Sequence, residues 1–137
     1  MRQDLAQLAL LESQLKAADQ LIARLAAQDS RVAHLMQLSG IGLYTAFTFL
    51  AIIGDIERFP TASHLSGYVG LVPRQQQSGQ RGYFGHITKS GSPLLRWLMV
   101  EAAQAAVRWD PHWREVHDRI AHRRGSGIAT VAIARKL

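Results

Sequence analysis

A serine and four cations are the residues of this sequence best suited to chemistry. Ser78 is followed by Gly79 within the stretch 70–96, which contains no Asp or Glu. The cations of that stretch are Arg74, Arg81, Lys89 and Arg96. A glycine lets backbone approach a phosphate, and fixed cations stabilise the charge that develops when a hydroxyl attacks a phosphodiester. Ser78 is therefore a candidate nucleophile; the alternative is a solvated basic loop whose serine has no special role.

A second serine, Ser92, is better explained by structure. Ser92-Pro93 is typical of a helix start, with the serine as N-cap and the proline in the first turn. The stretch offers Ser78 no obvious general base, and the chain contains no nucleotide loop, metal-ligand cluster or carboxylate pair placed for acid–base work. We therefore assign no metal ligand to this chain and expect any base or metal ion to come from outside it.

The positive charge is concentrated in the second half of the chain. The formal net charge is +6 over 137 residues, with a net −1 in residues 1–60 and a net +7 in residues 61–137. This distribution favours a surface that binds a polyanion, foremost nucleic acid. The alternative is a basic protein whose charge serves only solubility. The length fits one modest domain with an extension.

Composition also narrows the cellular setting. No cysteine is present, so disulfides and thiolate metal sites are excluded. No apolar run approaches the ~20 residues of a membrane span, and the N-terminus carries acids inside its apolar stretch, unlike a secretory signal. We therefore expect a cytoplasmic protein without a membrane partner.

A long helix without Gly or Pro is predicted over residues 3–28. Apolar residues recur at heptad spacing, namely Leu8, Leu11, Leu15, Ala18, Ile22 and Leu25. This seam predicts a coiled coil that joins copies of the chain or projects a second domain. Further leucines widen the apolar face, so packing on the chain's own core remains open. We treat 1–28 as a connector helix and 29–137 as the main domain.

A glycine turn between two helices is predicted within residues 31–53. Gly40-Ile41-Gly42 is typical of a helix-hairpin-helix motif, in which Ile41 fills the gap between the helices. The first backbone N–H groups of the second helix would then face a phosphate, independently of base sequence. Gly40, Ile41 and Gly42 are therefore candidate DNA-binding residues; the alternative is a plain turn used for packing.

Residues 70–92 interrupt the helical pattern as an irregular, glycine-rich basic loop, in which 83–88 is compatible with a short strand or hairpin arm. Helices resume over 93–137. There, His112, His117 and His122 are spaced by five residues, which does not suit a metal pair on one helix face. The predicted fold is mainly α: a helical domain with a helix-hairpin-helix motif, a long N-terminal coiled-coil-like helix and this loop.

Three runs of the sequence carry a family resemblance. They read LSGIGLYTAFTFLAIIGDIERFPTASHLSGYVGLVPR, SGQRGYFGHITKSGSPLLRWLMVEAAQAAVR and VAIARKL. Over about residues 30–137 they resemble the C-terminal transposase domain of the insertion-sequence one-ten group, bacterial serine-type recombinases guided by a bridge RNA. The preceding heptad helix is similar to the coiled-coil connector of that group.

The resemblance implies a mechanism. A loop serine, here Ser78, attacks DNA and forms a phosphoserine link, together with an N-terminal RuvC-like domain that holds divalent metal and acts across subunits. The pattern that follows this serine matches at Gly85, Ile87, Thr88, Lys89 and Gly91. Gln77 stands where relatives often have a second serine.

The resemblance also implies partners. They are DNA, a structured guide RNA and further copies of the chain, joined through the N-terminal helix, in a bacterial cytoplasm. The RuvC-like domain lies outside this sequence, so no cofactor is expected on this chain, and alone it should bind nucleic acid without completing recombination. Three hypotheses follow: a transposase domain with a serine nucleophile, a non-catalytic nucleic-acid-binding module, and an oligomerisation module.

Overall fold

Helices make up most of the structure, a computed structural model that describes residues 1–78 and 81–137. For Arg2, 75–78 and 81–84 only the backbone is described. In chain order the elements are α1 Arg2–Ala27, α2 Ser30–Leu35, α3 Leu43–Ile53, a 3₁₀ turn Ile56–Arg58, α4 Ala62–Val69, β1 Pro73–Ser78, β2 Arg81–Ile87, α5 Pro93–Trp109, α6 Pro111–Arg124 and α7 Ser126–Lys136. The mainly α prediction is confirmed.

Helix α5 is the element on which the domain packs. Its buried residues are Leu95, Met99, Ala102, Ala103 and Ala106. One side of α5 belongs to a core with Ile53, Val69, Leu71, Ile133 and Ala134. The other side, at Ala102, belongs to a second core with Ala26, Val32, Ile41 and Ala46. The alanines allow close approach, so α3, α4, α6 and α7 all contact this one helix.

Two caps position the ends of α5 and α6. The Ser92 hydroxyl accepts a hydrogen bond from the Leu95 N–H at 3.3 Å, and Pro93 follows it in the first turn. Asp110 does the same for α6, accepting from the His112 N–H at 2.9 Å. Both caps satisfy donors that a helix N-terminus leaves free. The predicted structural role of Ser92 is confirmed.

Helix α1 packs on the domain only near its C-terminal end. Ala26 is buried and Ile22 is half-buried, and the nearby Asp19 carboxylate raises the pKa of the Tyr44 hydroxyl of α3. The leucines of the remaining face are 43 to 64% exposed, namely Leu5, Leu8, Leu10, Leu11, Leu15, Leu21 and Leu25. Within the predicted heptad seam, Ile22 is half-buried and the leucines are exposed, and the coiled coil stays a prediction.

The basic stretch is a β-hairpin rather than an irregular loop. Strands β1 and β2 pair antiparallel, from Pro73 opposite Ile87 to Ser78 opposite Arg81, with an irregularity between Pro73 and Gln75. The prediction of an irregular loop is wrong over both strands; the strand considered for 83–88 lies largely within β2. Each strand of a two-stranded ribbon is an edge strand, and the sequence of β1, PRQQQS, shows no alternation of apolar and polar residues from which a strand could be predicted.

No helix among the described residues is both long enough and apolar enough to cross a membrane.

Candidate nucleic-acid interface

Two glycines join the hairpin, here called the arm (residues 73–87), to the helical body. Gly70 ends α4 with φ +79°, and a Cβ there would collide with the Ser90 backbone. Gly91 has φ +92°, and a Cβ there would collide with the Tyr68 carbonyl oxygen. The Lys89 N–H also donates to the Gly70 carbonyl at 3.2 Å. The base of the arm is therefore a backbone-to-backbone contact that only glycine allows.

Three cations surround this base, and we call Arg74, Lys89 and Arg96 the arm-base cluster. Arg74 Nη2 donates to the Thr88 carbonyl at 3.4 Å, and Arg96 Nη1 donates to the Val69 carbonyl at 3.4 Å. Lys89 is exposed and adopts φ +55°, which is uncommon for a residue other than glycine. Among the described side chains, no carboxylate forms an ion pair with these three. The cluster is thus available to an external anion.

Ser78 lies at the far end of the arm from this cluster. It closes β1 and pairs with Arg81, the first residue of β2. Ser78 stands four positions after Arg74 in β1, a span of about 13 Å for an extended strand. Arg74 therefore lies at the base of the arm, whereas Arg81 lies opposite Ser78 at its far end. The role of Ser78 as nucleophile stays a prediction. The side chains of Ser78 and Arg81, and all of Gly79, lie outside the described residues.

The turn between α2 and α3 divides the candidate residues Gly40, Ile41 and Gly42. Gly40 has φ +86°, and a Cβ there would collide with the Ala102 carbonyl of α5. Ile41 is buried in the second core. Gly42 is exposed, has open space around it, and precedes α3 without a side-chain cap. The first two residues pack the turn onto α5, and Gly42 alone is open to an external group.

A contact that no local pattern predicts fixes this turn. The Ser39 hydroxyl donates to Asp110 Oδ2 at 2.5 Å and so ties the α2–α3 turn to the α5–α6 corner. The Ser39 hydrogen bond lowers the pKa of the Asp110 carboxyl, helped by the backbone N–H groups of His112 and Trp113. The two residues are 71 positions apart, so the sequence does not predict their contact. It does predict the role of Asp110 as a cap, because Asp110-Pro111 is typical of a helix start.

The described residues do not form a metal centre. No three His, Cys, Asp or Glu side chains within 1–78 and 81–137 converge on a common point. Of the three histidines on α6, His117 points towards α7, where its Nε2 lies 3.5 Å from the Thr130 hydroxyl. A divalent cation therefore finds no ligand set in this part of the chain.

Comparison with known proteins defines the family. A model of the transposase IS116/IS110/IS902 family matches residues 32–118, more than half of the chain. The chain belongs to this family. The predicted resemblance to the insertion-sequence one-ten group is thereby confirmed.

Individual relatives agree with this assignment. A probable family 20 transposase of Pseudomonas aeruginosa is 32% identical over 137 residues, covering 92% of this chain and 40% of the relative. The transposase for insertion sequence element IS1111A of Coxiella burnetii is 35% identical over 109 residues, covering 74% of this chain and 29% of the relative. A pilin gene-inverting protein of Moraxella lacunata is 45% identical over 49 residues, or 36% of this chain and 15% of the relative. The chain thus spans well under half the length of these relatives.

Proposed function

We propose that this chain is the DNA-binding and nucleophile-bearing domain of a DNA transposase, with Ser78 as the nucleophile. The observation that carries the proposal is the arm, which has Ser78 opposite Arg81 at its end and, at its base, three cations that form no ion pair with the described side chains. Membership in a transposase family supports the same reaction class. The net +7 of residues 61–137 supplies the attraction for DNA.

The proposed reaction is a transesterification at phosphorus. The Ser78 oxygen forms a bond to phosphorus as one ester bond of the DNA backbone breaks, giving a phosphoserine link. The hydroxyl proton passes to a base, and the departing DNA oxygen takes up a proton. Arg81 offsets the charge that builds on the phosphoryl oxygens. Because one ester replaces another, the reverse attack by a DNA hydroxyl rejoins the strand.

The arm-base cluster has a separate task in this proposal. Arg74, Lys89 and Arg96 bind phosphates of the same duplex at the base of the arm. Arg74 lies about 13 Å from Ser78 along β1, a span close to the ~12 Å width of the major groove. They fix the register of the arm without reading bases. Gly42 and the first N–H groups of α3 add a further phosphate contact, as in a helix-hairpin-helix motif.

Activity in this proposal requires further partners. A RuvC-like domain, acting from another subunit, supplies the base or divalent metal for which the described residues have no ligand cluster. A structured guide RNA selects the DNA. The exposed leucines of α1 pair with a second copy of the helix as a coiled coil. This pairing brings the RuvC-like domain of one subunit to the serine of another.

One observation favours a second candidate, a non-catalytic nucleic-acid-binding module. Three of the four cations lie away from Ser78, so the arm can hold a phosphate backbone without any chemistry at the serine. In that case the cluster would account for binding, and substitution of Ser78 would change nothing measurable.

Covalent capture separates the two candidates. The chain is assayed together with its RuvC-like domain and divalent metal, on DNA that carries a labelled strand. The proposal predicts a protein–DNA adduct that survives denaturant and disappears in Ser78→Ala. The non-catalytic candidate predicts no adduct in either protein.

A further inference from the structure

A groove between α5, α6 and α7 is not used by the proposed reaction. Its volume is about 480 Å³, within the range of sites that hold small molecules. Its apolar walls are Val100 and Val107 of α5 and Val131 of α7, and its polar side chains include Gln104, His117 and Thr130. No Asp or Glu lines it.

The polar side of the groove has an unused acceptor. The His117 side chain is 13% exposed, and its Nδ1 lies 3.1 Å from Asp118 Oδ1. With Nδ1 donating to that carboxylate, Nε2 of the neutral ring is an acceptor. The Thr130 hydroxyl, 3.5 Å away, donates instead to the Ser126 carbonyl at 3.1 Å. Nε2, whose recorded contact is this hydroxyl at 3.5 Å, can therefore accept a hydrogen bond from a ligand N–H.

This combination matches a nucleobase. Flat apolar faces fit between valine side chains, while ring N–H and C=O groups need donors and acceptors at one edge. The carboxamide of Gln104 presents both, which is why glutamine pairs with adenine in many complexes. A base enters such a pocket when it is unpaired or turned out of its stack.

Charge at the end of the groove favours nucleic acid over a protein side chain. Arg123 and Arg124 are exposed in the last turn of α6, directly before Gly125, and α7 then begins without a side-chain cap. A phosphate attached to a base in the groove would lie beside these cations. A neutral side chain of a protein partner would gain nothing from them.

We infer that the α5–α6–α7 groove binds one unpaired base of a nucleic acid, with the adjoining phosphate towards Arg123 and Arg124. The inference rests on the proposed function only in taking nucleic acid as the partner. It gives this domain a contact that recognises unpaired nucleotides, separate from the phosphate contacts of the arm.

A pair of glycine variants tests the groove. Gly127 lines the groove, has no positive φ, and has nothing within 4 Å of the position of a Cβ. Gly127→Phe therefore places a ring in the groove without straining the backbone. Gly67→Phe is the matched control, because Gly67 lies in α4 with equally open space. Thermal unfolding checks that both variants fold.

The probe is a duplex with one unpaired adenosine, compared with the same duplex carrying an abasic residue there. We expect the parent protein to prefer the adenosine by about tenfold, the worth of one or two net hydrogen bonds. Gly127→Phe should lose this preference and Gly67→Phe should keep it. Gln104→Ala, which removes the carboxamide proposed to pair with the base, should reduce it and serves if Gly127→Phe fails to fold.

Each remaining outcome overturns the inference. No preference in the parent rules out base recognition, and a preference that survives Gly127→Phe places it elsewhere. If Gly127→Phe lowers the affinity for the adenosine duplex and for the abasic duplex equally, the groove binds the backbone or another partner. The result is independent of the adduct assay: Ser78→Ala should keep the preference, so either proposal can fail alone.

Discussion

The hydroxyl of Ser39 donates a hydrogen bond to Asp110 Oδ2 at 2.5 Å, between residues that lie 71 positions apart in the chain. Asp110 also caps α6, so one carboxylate holds both the α2–α3 turn and the α5–α6 corner. The turn that presents Gly42 is therefore fixed to the helix that carries Arg96. Two of the proposed phosphate contacts are held in one frame by this pair.

Removal of the Ser39 hydroxyl should reduce the contribution of the Asp110 carboxylate to the stability of the folded protein. Since folding lowers the pKa of Asp110, the carboxylate stabilises the fold above its ordinary pKa of ~3.9, and this is lost as pH falls through the lowered value. We expect Ser39→Ala to unfold at a lower temperature than the parent at pH 6, with the difference shrinking below pH ~4. Ser66→Ala is the control, because the Ser66 hydroxyl bonds the Ala62 carbonyl and no carboxylate. A difference that stays constant down to pH ~2 would contradict this role.

The two glycines of the α2–α3 turn should respond differently to alanine. Gly40→Ala combines a positive φ with a collision against α5 and should cost about 2 to 4 kcal/mol of unfolding free energy. Gly42 has φ −92° and open space, so Gly42→Ala should change stability by no more than about 1 kcal/mol. If Gly42 approaches a phosphate, its variant should lose DNA affinity while staying folded. Denaturant unfolding measures the loss of stability and DNA titration the loss of affinity; equal losses of stability in the two variants would contradict the separate roles of Gly40 and Gly42.

The arm-base cluster should dominate the salt dependence of DNA binding. Replacing Arg74, Lys89 or Arg96 by glutamine removes one phosphate contact, so the slope of log affinity against log salt should fall by about 0.9 each time. The same is expected for Arg81 at the far end of the arm. Arg31→Gln is the control, because Arg31 already pairs with Asp29 at 2.7 Å. Unchanged slopes for all four would favour the oligomerisation module.

Helix α1 should separate assembly from folding. Glutamate at Leu11 and Leu15, both more than half exposed, places charge in the proposed seam and should convert the oligomer to monomers at unchanged stability. Ile22→Glu should instead destabilise the domain by about 1 to 3 kcal/mol, because Ile22 is half-buried and a charge there would be partly desolvated. Sedimentation and thermal unfolding distinguish the two. A parent protein that sediments as a monomer would contradict the coiled-coil proposal.

Local signals predicted the helices well. Ser92-Pro93 and Asp110-Pro111 marked two helix starts because capping acts within three residues. The alanines of α5 correctly indicated close helix packing. Cap and packing signals of this kind depend on neighbours in sequence, so they can be read without a structure.

Long-range geometry could not be read in the same way. The Ser39–Asp110 pair depends on how α2, α3 and α5 come together. Strand β1 escaped prediction because its sequence shows no alternation of apolar and polar residues, and the extended strand separates Ser78 from Arg74. The groove at His117 forms between α5, α6 and α7. The sequence of each helix indicates which of its residues share a face, but not how the three helices lie against one another.

Covalent capture of DNA is the direct test of Ser78 as the nucleophile. The chain, its RuvC-like domain and metal are incubated with labelled DNA, denatured, and resolved for a protein–DNA adduct. We expect an adduct in the parent, none in Ser78→Ala with DNA binding nearly intact, and partial recovery in Ser78→Cys, since a thiolate also attacks phosphorus. An adduct that persists in Ser78→Ala would show that Ser78 is not the nucleophile and would direct the search to Ser90 or Ser92.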